Sequence, residues 1–173
     1  RWSIGVTEPD AGLNTSNIST VADRDGDGWV INGQKQYISG LDTASRLLLL
    51  ARTTPKAEVE SPLAGITAFI VDPEDDAVEY SEIPLDIYFP EPTFQVHIDE
   101  LRVDDDQVLG TVDEGLYHMF DTLNAERVAT GAAAWGAGYA TLQAASQYAR
   151  EREVWDEPRS EERRVGKECI VKC

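Results

Sequence analysis

Cysteine is nearly absent from this chain: of 173 residues only Cys169 and Cys173 carry a thiol, and both stand at the extreme C-terminus. A disulfide framework or thiolate metal centre in the body of the chain is thereby excluded. Basic residues are scarce too. Fifteen Lys and Arg face 32 Asp and Glu, a net charge of −17. Such a surface repels nucleic acid and anionic membranes. No apolar run reaches membrane-spanning length, and Leu47–Ala51 is strand-sized. The N-terminus "RWSIGVTEPD" lacks the basic-then-apolar build of a secretory signal, so we expect a cytoplasmic protein without membrane insertion. Without such a signal, the glycosylation patterns at Asn14 and Asn17 read as chance matches.

Hydrophobic residues make up 42% of the chain, enough for a core in one domain or one and a half. The acid is dispersed in runs such as "DPEDD" and "RVDDDQ", suited to solvated turns. A sharper reading is adaptation to high salt, where screening removes the self-repulsion.

Asp23, Asp25 and Asp27 alternate ahead of Gly28, like the front half of a calcium loop. That loop needs a bidentate carboxylate at its twelfth position, which here is Gln34. The flanks "NISTVAD" and "WVINGQKQYIS" are rich in β-branched and aromatic residues, so the stretch reads as a hairpin turn, with Asn32-Gly33 marking a second turn. We expect no metal site.

Turn signals divide residues 14–110 into strands predicted at Ile18–Ala22, Trp29–Ile31, Lys35–Ser39, Leu47–Arg52, Thr67–Val71, Val78–Ile83, Phe94–Asp99 and Leu101–Val103. Many short strands suggest an antiparallel barrel or sandwich, with "KAEVESPLAG" a surface loop. From Asp113 to Trp155 proline disappears and apolar residues recur at helical spacing: Leu116, Met119, Phe120, Leu123, Val128, Trp135, Tyr139, Leu142 and Tyr148. A break near Leu123-Asn124 would give a short and a long helix, or one kinked helix. The fold class is α+β. A single helical element cannot bury this apolar face, so partner helices are expected outside the chain. His97 and His118 read as surface residues.

The last fifteen residues differ in kind. "RSEERRVGKEC", Arg159 to Cys169, resembles the in-frame translation of a sequencing-library adaptor, which would make residues 159–173 a non-native tail. The alternative from composition alone is a natural charged helix. Without the tail, 29 acidic and 10 basic residues remain, a net charge of −19.

Four motifs now fall in order. "GVTEPDAG", Gly5 to Gly12, resembles the TEP-x-AG loop of the acyl-CoA dehydrogenase family. "GQKQYIS", Gly33 to Ser39, resembles that family's GxKxWIT strand. "LNAERVATGAAAWGAG" is similar to the start of the long helix opening its C-terminal domain, and "YAREREVW" to its YAxER-x-x-F segment. The resemblance covers nearly all of residues 1–158. It implies a middle β-domain over residues 1–111 and the start of a helical domain over 112–158.

The resemblance further implies FAD as cofactor and an acyl-CoA substrate, with a carboxylate taking the α-proton while a β-hydride passes to flavin N5. Val6, Thr7, Gly12, Leu13, Tyr37, Ile38 and Ser39 are the cofactor-binding positions it implies, with Arg152 reaching the FAD pyrophosphate of a neighbouring subunit. Thr7 would meet the flavin pyrimidine and Ser39 would stand near N5. Tyr37 takes the place of the tryptophan beside the ring system. Leu13, Asn124 and Arg127 fall at substrate-binding positions, and Glu126, immediately before the helix arginine, is the candidate catalytic base. Read without the resemblance, Tyr37 is a strand aromatic, Ser39 a strand-end cap and Glu126 a surface glutamate paired with an arginine. Two departures stand out: where the family's loop continues AG-Ser-Asp, this chain has Ala11-Gly12-Leu13-Asn14. Leu13 offers no hydroxyl, only its backbone N–H, and Asn14 lacks the carboxylate's charge. Electron-transfer flavoprotein is the implied acceptor, and the complete enzyme a dimer or tetramer. An acyl-CoA oxidase, another flavoenzyme on this fold, and a non-catalytic β-sandwich binding module are the alternatives.

Overall fold

The structure, a computed structural model, describes residues 1–86, 91–154 and 156–160. The chain divides into two compact units, Arg1–Asp121 and Thr122–Cys173.

The first unit is built on an eight-stranded sheet. Its strands are β1 (Trp2–Gly5), β2 (Val21–Asp25), β3 (Gly28–Ser39), β4 (Arg46–Arg52), β5 (Ile66–Val71), β6 (Val78–Ile83), β7 (Thr93–Asp104) and β8 (Val108–Leu109). They run in the order β6-β7-β3-β2-β4-β5-β8, with β1 on β4. The sheet is mixed, not purely antiparallel as predicted, because β4 takes both β1 and β2 in parallel. β4 and β5 are buried almost throughout and read as unbroken apolar runs, whereas the outer parts of β7 alternate inward and outward. Ile31, Leu47, Leu49, Phe69, Val96 and Ile98 form the centre of the core, with the Trp29 ring edge-on to Phe69 at 5.8 Å.

The aspartate-rich stretch is the expected hairpin. Asp25 pairs with Gly28 across a two-residue turn in which Gly26 has φ +60°. Two of its charges are paired: Asp25 with Arg102 of β7, and the stretch's own Arg24 with Asp105 beyond β7. The Arg24 guanidinium also lies 4.8 Å from the Trp29 ring centre.

Other boundaries differ from expectation: the strand predicted at Ile18–Ala22 begins only at Val21 and runs on to Asp25. The strands predicted at Trp29–Ile31 and Lys35–Ser39 are one strand, β3, and Asn32-Gly33 is an irregularity within it. A Cβ on Gly33 would lie 2.7 Å from Thr20 Cα, so this strand can pass Thr20 only at a glycine. Opposite, the two strands predicted across residues 94–103 are also one, β7, with Glu100 at φ +54°. The Glu100 N–H donates to Asn32 Oδ1 at 2.8 Å, so the side chain of one irregularity satisfies the backbone of the other. The strands β1 and β8 were not anticipated.

One helix, α1 (Gly115–Glu151), follows without a break at Leu123-Asn124. No proline or glycine stands there, and Asn124 Oδ1 accepts from Arg127 Nη1 at 3.2 Å. The start of α1 is held on the first unit. Asp113 accepts from Thr53 Oγ1 at 2.6 Å and Thr54 Oγ1 at 2.9 Å, and its N–H donates to Thr67 Oγ1 at 2.8 Å. Leu116 and Met119 are buried.

In the second unit, Val128, Trp135, Tyr139, Leu142 and Tyr148 are exposed, with Trp135 stacked on Tyr139 at 5.5 Å. The helix stops before the predicted Trp155, which itself lies outside the described residues. β9 (Glu153–Val154) and β10 (Glu157–Pro158) form a short hairpin instead. Asp156 adopts φ +67° in its turn, and Pro158 has no N–H to continue a helix. The tail prediction falls mostly outside the described residues, since residues 161–173 are not among them; the Arg159 N–H donates to the Arg152 carbonyl at 2.7 Å.

Candidate functional site

Three successive residues of the loop after β1 are tied to β3. The Lys35 ammonium donates to the Val6 carbonyl at 3.3 Å, the Gln36 N–H to the Thr7 carbonyl at 2.8 Å, and Lys35 Nζ to Glu8 Oε1 at 2.7 Å. Reciprocal backbone bonds at 3.1 Å between Glu8 and Ala11 close the turn through Pro9 and Asp10.

Both charges of the Glu8–Lys35 pair are buried, with side chains 2% and 0% exposed. A charge withdrawn from water needs its full set of partners. Glu8 has them: besides Lys35 it accepts from the Ser19 N–H at 2.5 Å, Ser19 Oγ at 2.7 Å and the Thr20 N–H at 3.0 Å. Burial by itself would raise the Glu8 pKa, but the Lys35 charge and these donors prevail and lower it to about 2. Burial pushes Lys35 down to about 8 against the opposing pull of Glu8. Both groups are therefore ionised at neutral pH.

One residue past this clamp, Tyr37 occupies the left-handed region at φ +61°. It lies at the register shift between Lys35 and Ile38, where β3 carries an extra residue relative to β7. The shift returns Ile38 to the core and leaves the Tyr37 ring 53% exposed. A bulky side chain at this φ is an outlier of the kind that clusters at functional sites.

Of the sequence-predicted residues, Thr7 and Tyr37 are brought close here. Thr7 is brought beside the Gln36–Tyr37 segment, with Ser39 two residues further on and its carbonyl held by Ser3 Oγ at 2.9 Å. Among the described residues, neither the Thr7 nor the Ser39 hydroxyl makes a hydrogen bond. Ile38 does not present its side chain: it is buried in the core, so any ligand contact from it would be through its backbone. Gly12 and Leu13 are both exposed, Leu13 completely so.

The remaining predicted residues belong to the second unit. Glu126 is exposed on α1, flanked by Leu123, Arg127 and Thr130 on the helix surface. Asn124 and Arg127 are joined as described. Arg152 is exposed just beyond the helix, its N–H donating to the Tyr148 carbonyl at 2.8 Å.

The sequence reading assigned no role to Glu8 or Lys35. A signal existed, because Lys35 keeps the two-residue phase of the inward-facing Trp29 and Ile31. A lysine in that phase requires a buried partner.

Comparison with known proteins places this arrangement. The family model described as "Acyl-CoA dehydrogenase, middle domain" matches residues 3–87. Acyl-CoA dehydrogenase FadE12 of Mycobacterium tuberculosis (strain ATCC 25618 / H37Rv) is 36% identical over 156 residues, 90% of this chain and 39% of its own length. The chain belongs to the acyl-CoA dehydrogenase family. Glutaryl-CoA dehydrogenase of Desulfococcus multivorans is 31% identical over 89% of the chain and 39% of its own length. Among solved structures, the glutaryl-CoA complex of a glutaryl-coenzyme A dehydrogenase superposes with a TM-score of 0.75 at 31% identity, covering 90% of this chain and 39% of that one. An acyl-CoA dehydrogenase from Geobacillus kaustophilus superposes with a TM-score of 0.80 at 26% identity, covering 98% of this chain and 44% of that one. The chain thus spans about two fifths of the length of these relatives, 39% in the curated sequences.

Proposed function

We propose that residues 1–111 are the middle β-domain, and residues 112–158 the start of the helical domain, of an FAD-dependent acyl-CoA dehydrogenase. The enzyme would desaturate an acyl-CoA thioester between its α and β carbons. The observation that carries this reading is the bond from the Gln36 N–H to the Thr7 carbonyl, which brings two motifs separated in sequence to one edge. These two motifs carry the exposed Tyr37 and, at Thr7 and Ser39, two hydroxyls with no partner among the described residues. A flavin needs such groups: a flat apolar contact and short polar groups at its heteroatom rim.

Bound FAD would supply the acceptor for the hydride. The chain's own residues would do the rest. The Thr7 and Ser39 hydroxyls and the backbone around Val6, Gly12, Leu13 and Ile38 hold the cofactor's polar rim. Tyr37 would lie against its rings, and Arg152 would reach the FAD pyrophosphate of a neighbouring subunit. Leu13, through its N–H, with Asn124 and Arg127, holds the acyl-CoA. Glu126 takes the α-proton as general base. Electrons leave to an electron-transfer flavoprotein, and the complete enzyme is a cytoplasmic homo-oligomer. No helix of the described residues is long and apolar enough to cross a membrane.

The test uses the full-length enzyme. It should purify with bound FAD, and its flavin absorbance should bleach anaerobically with an acyl-CoA from a chain-length series. Glu126→Gln should slow that bleaching by about 10²–10⁴-fold, the usual contribution of a general base, while FAD stays bound. Near-normal reduction would move the base elsewhere. A colourless protein that cannot be reconstituted would remove the flavin assignment, and rapid peroxide formation in air would mark an oxidase.

A further inference from the structure

A buried ion pair is poor value as a source of stability. Apolar residues of similar volume commonly replace one without loss, because the desolvation of two charges offsets their attraction. What such a pair can supply is a single geometry, since neither charge tolerates a shifted partner. Glu8–Lys35 is placed where geometry matters. Lys35 touches the loop twice, at the Val6 carbonyl (3.3 Å) and the Glu8 carboxylate (2.7 Å). Between these contacts lies Thr7, whose own carbonyl is taken by the next residue of the strand, Gln36. The far side of the carboxylate is fixed by Ser19 and Thr20. Thr20 is in turn anchored, Oγ1 donating to the Gln34 carbonyl at 3.3 Å and its own carbonyl accepting from the Arg52 N–H at 2.8 Å. Slippage of the loop by one residue would leave two charges buried without partners. The left-handed Tyr37 follows directly on the clamped pair Lys35–Gln36.

We propose that Glu8 and Lys35 are positioning residues for the flavin edge: their buried pair locks Val6–Glu8 in one register on Lys35–Gln36, so that the Thr7 hydroxyl and the Tyr37 ring are presented together. The inference rests on the flavin reading of that edge. It assigns the pair no contact with the cofactor or the reacting atoms.

Combining Glu8→Gln with Lys35→Met in the full-length enzyme removes both charges at similar length; the amide oxygen can take the place of Oε2 towards Ser19, while the Thr20 N–H loses its acceptor. Three quantities are measured: melting of the apoprotein, FAD affinity by fluorescence titration, and the visible spectrum of the bound flavin. The expected result is apoprotein melting within a few degrees of wild type, FAD affinity about tenfold weaker or more, and an altered spectrum. Unchanged affinity and spectrum overturn the proposal. If the double variant does not fold, Glu8→Asp decides, because it keeps both charges but shortens the reach by one methylene. Weaker FAD binding with near-native melting supports positioning, and unchanged FAD binding overturns it. The flavin reading fails separately: it falls if the wild-type enzyme takes up no FAD.

Discussion

Tyr37 holds φ +61° with an exposed ring, and a β-carbon in that conformation costs about 1–2 kcal/mol. Glycine would relieve the strain but loses about 0.5–1 kcal/mol more backbone entropy on folding. Tyr37→Gly should therefore leave the urea midpoint of the apoprotein almost unmoved or slightly raised. Loss of the ring contact should weaken FAD binding several-fold, up to about tenfold. Strong destabilisation with unchanged FAD affinity would make the ring a structural residue. Glu8 gives a second expectation. Its folded-state pKa, about 2, lies below the ordinary value of 4.5, so the pair's stabilisation is present above pH 4.5 and is lost as pH falls towards 2. Urea unfolding across that acid range should show a steeper loss in wild type than in the Glu8→Gln, Lys35→Met protein. Parallel curves would mean the carboxylate is not held as described. Thr7, Tyr37 and Ser39 were singled out in the sequence by short motifs. The pair beneath them was not, because a lysine and a glutamate 27 positions apart look like two surface charges until the fold closes over them.

At the scale of elements, local chemistry identified the Asp25–Gly28 hairpin and the start of the helix. It misread Asn32-Gly33. Asparagine and glycine favour a turn locally, but here the long pairing of β3 with β7 runs through them, and the Asn32 side chain is spent on the Glu100 N–H. β1 was missed because its four residues acquire strand character only by pairing with β4. The junction to α1 depends on a contact no periodicity reveals. A Cβ on Gly115 would lie 2.7 Å from the Thr67 carbonyl carbon, a backbone atom that cannot swing aside. In an isolated helix Gly→Ala would stabilise by about 1 kcal/mol. Here Gly115→Ala should destabilise the first unit by about 1–3 kcal/mol, since the helix must lift and uncover Leu116 and Met119. Chemical denaturation of the two proteins side by side is the check, and a gain in stability would show that α1 docks more loosely than drawn.

The charge belongs to the whole molecule. Exposed ion pairs join Arg24 to Asp105, Arg46 to Asp72 and Arg102 to Asp25, and at the surface such pairs add little stability. They consume bases that are already outnumbered 32 to 15. Most carboxylates therefore face other carboxylates across solvent, and the folded state concentrates a repulsion that the expanded chain dilutes. Added salt acts on both terms. It weakens the few attractive pairs, a small loss, and shortens the reach of the many repulsions from about 10 Å at 0.1 M to about 3 Å at 1 M. Repulsion dominates by number, so the melting temperature should rise with sodium chloride through this range. Glu8–Lys35 should not respond, because it is buried and screened little. Chloride is the salt to use, since sulfate would strengthen apolar burial by exclusion and give a rise of another origin. A flat or falling melting temperature from low to molar chloride would mean that the acidic surface serves solubility alone and that adaptation to high salt is the wrong reading.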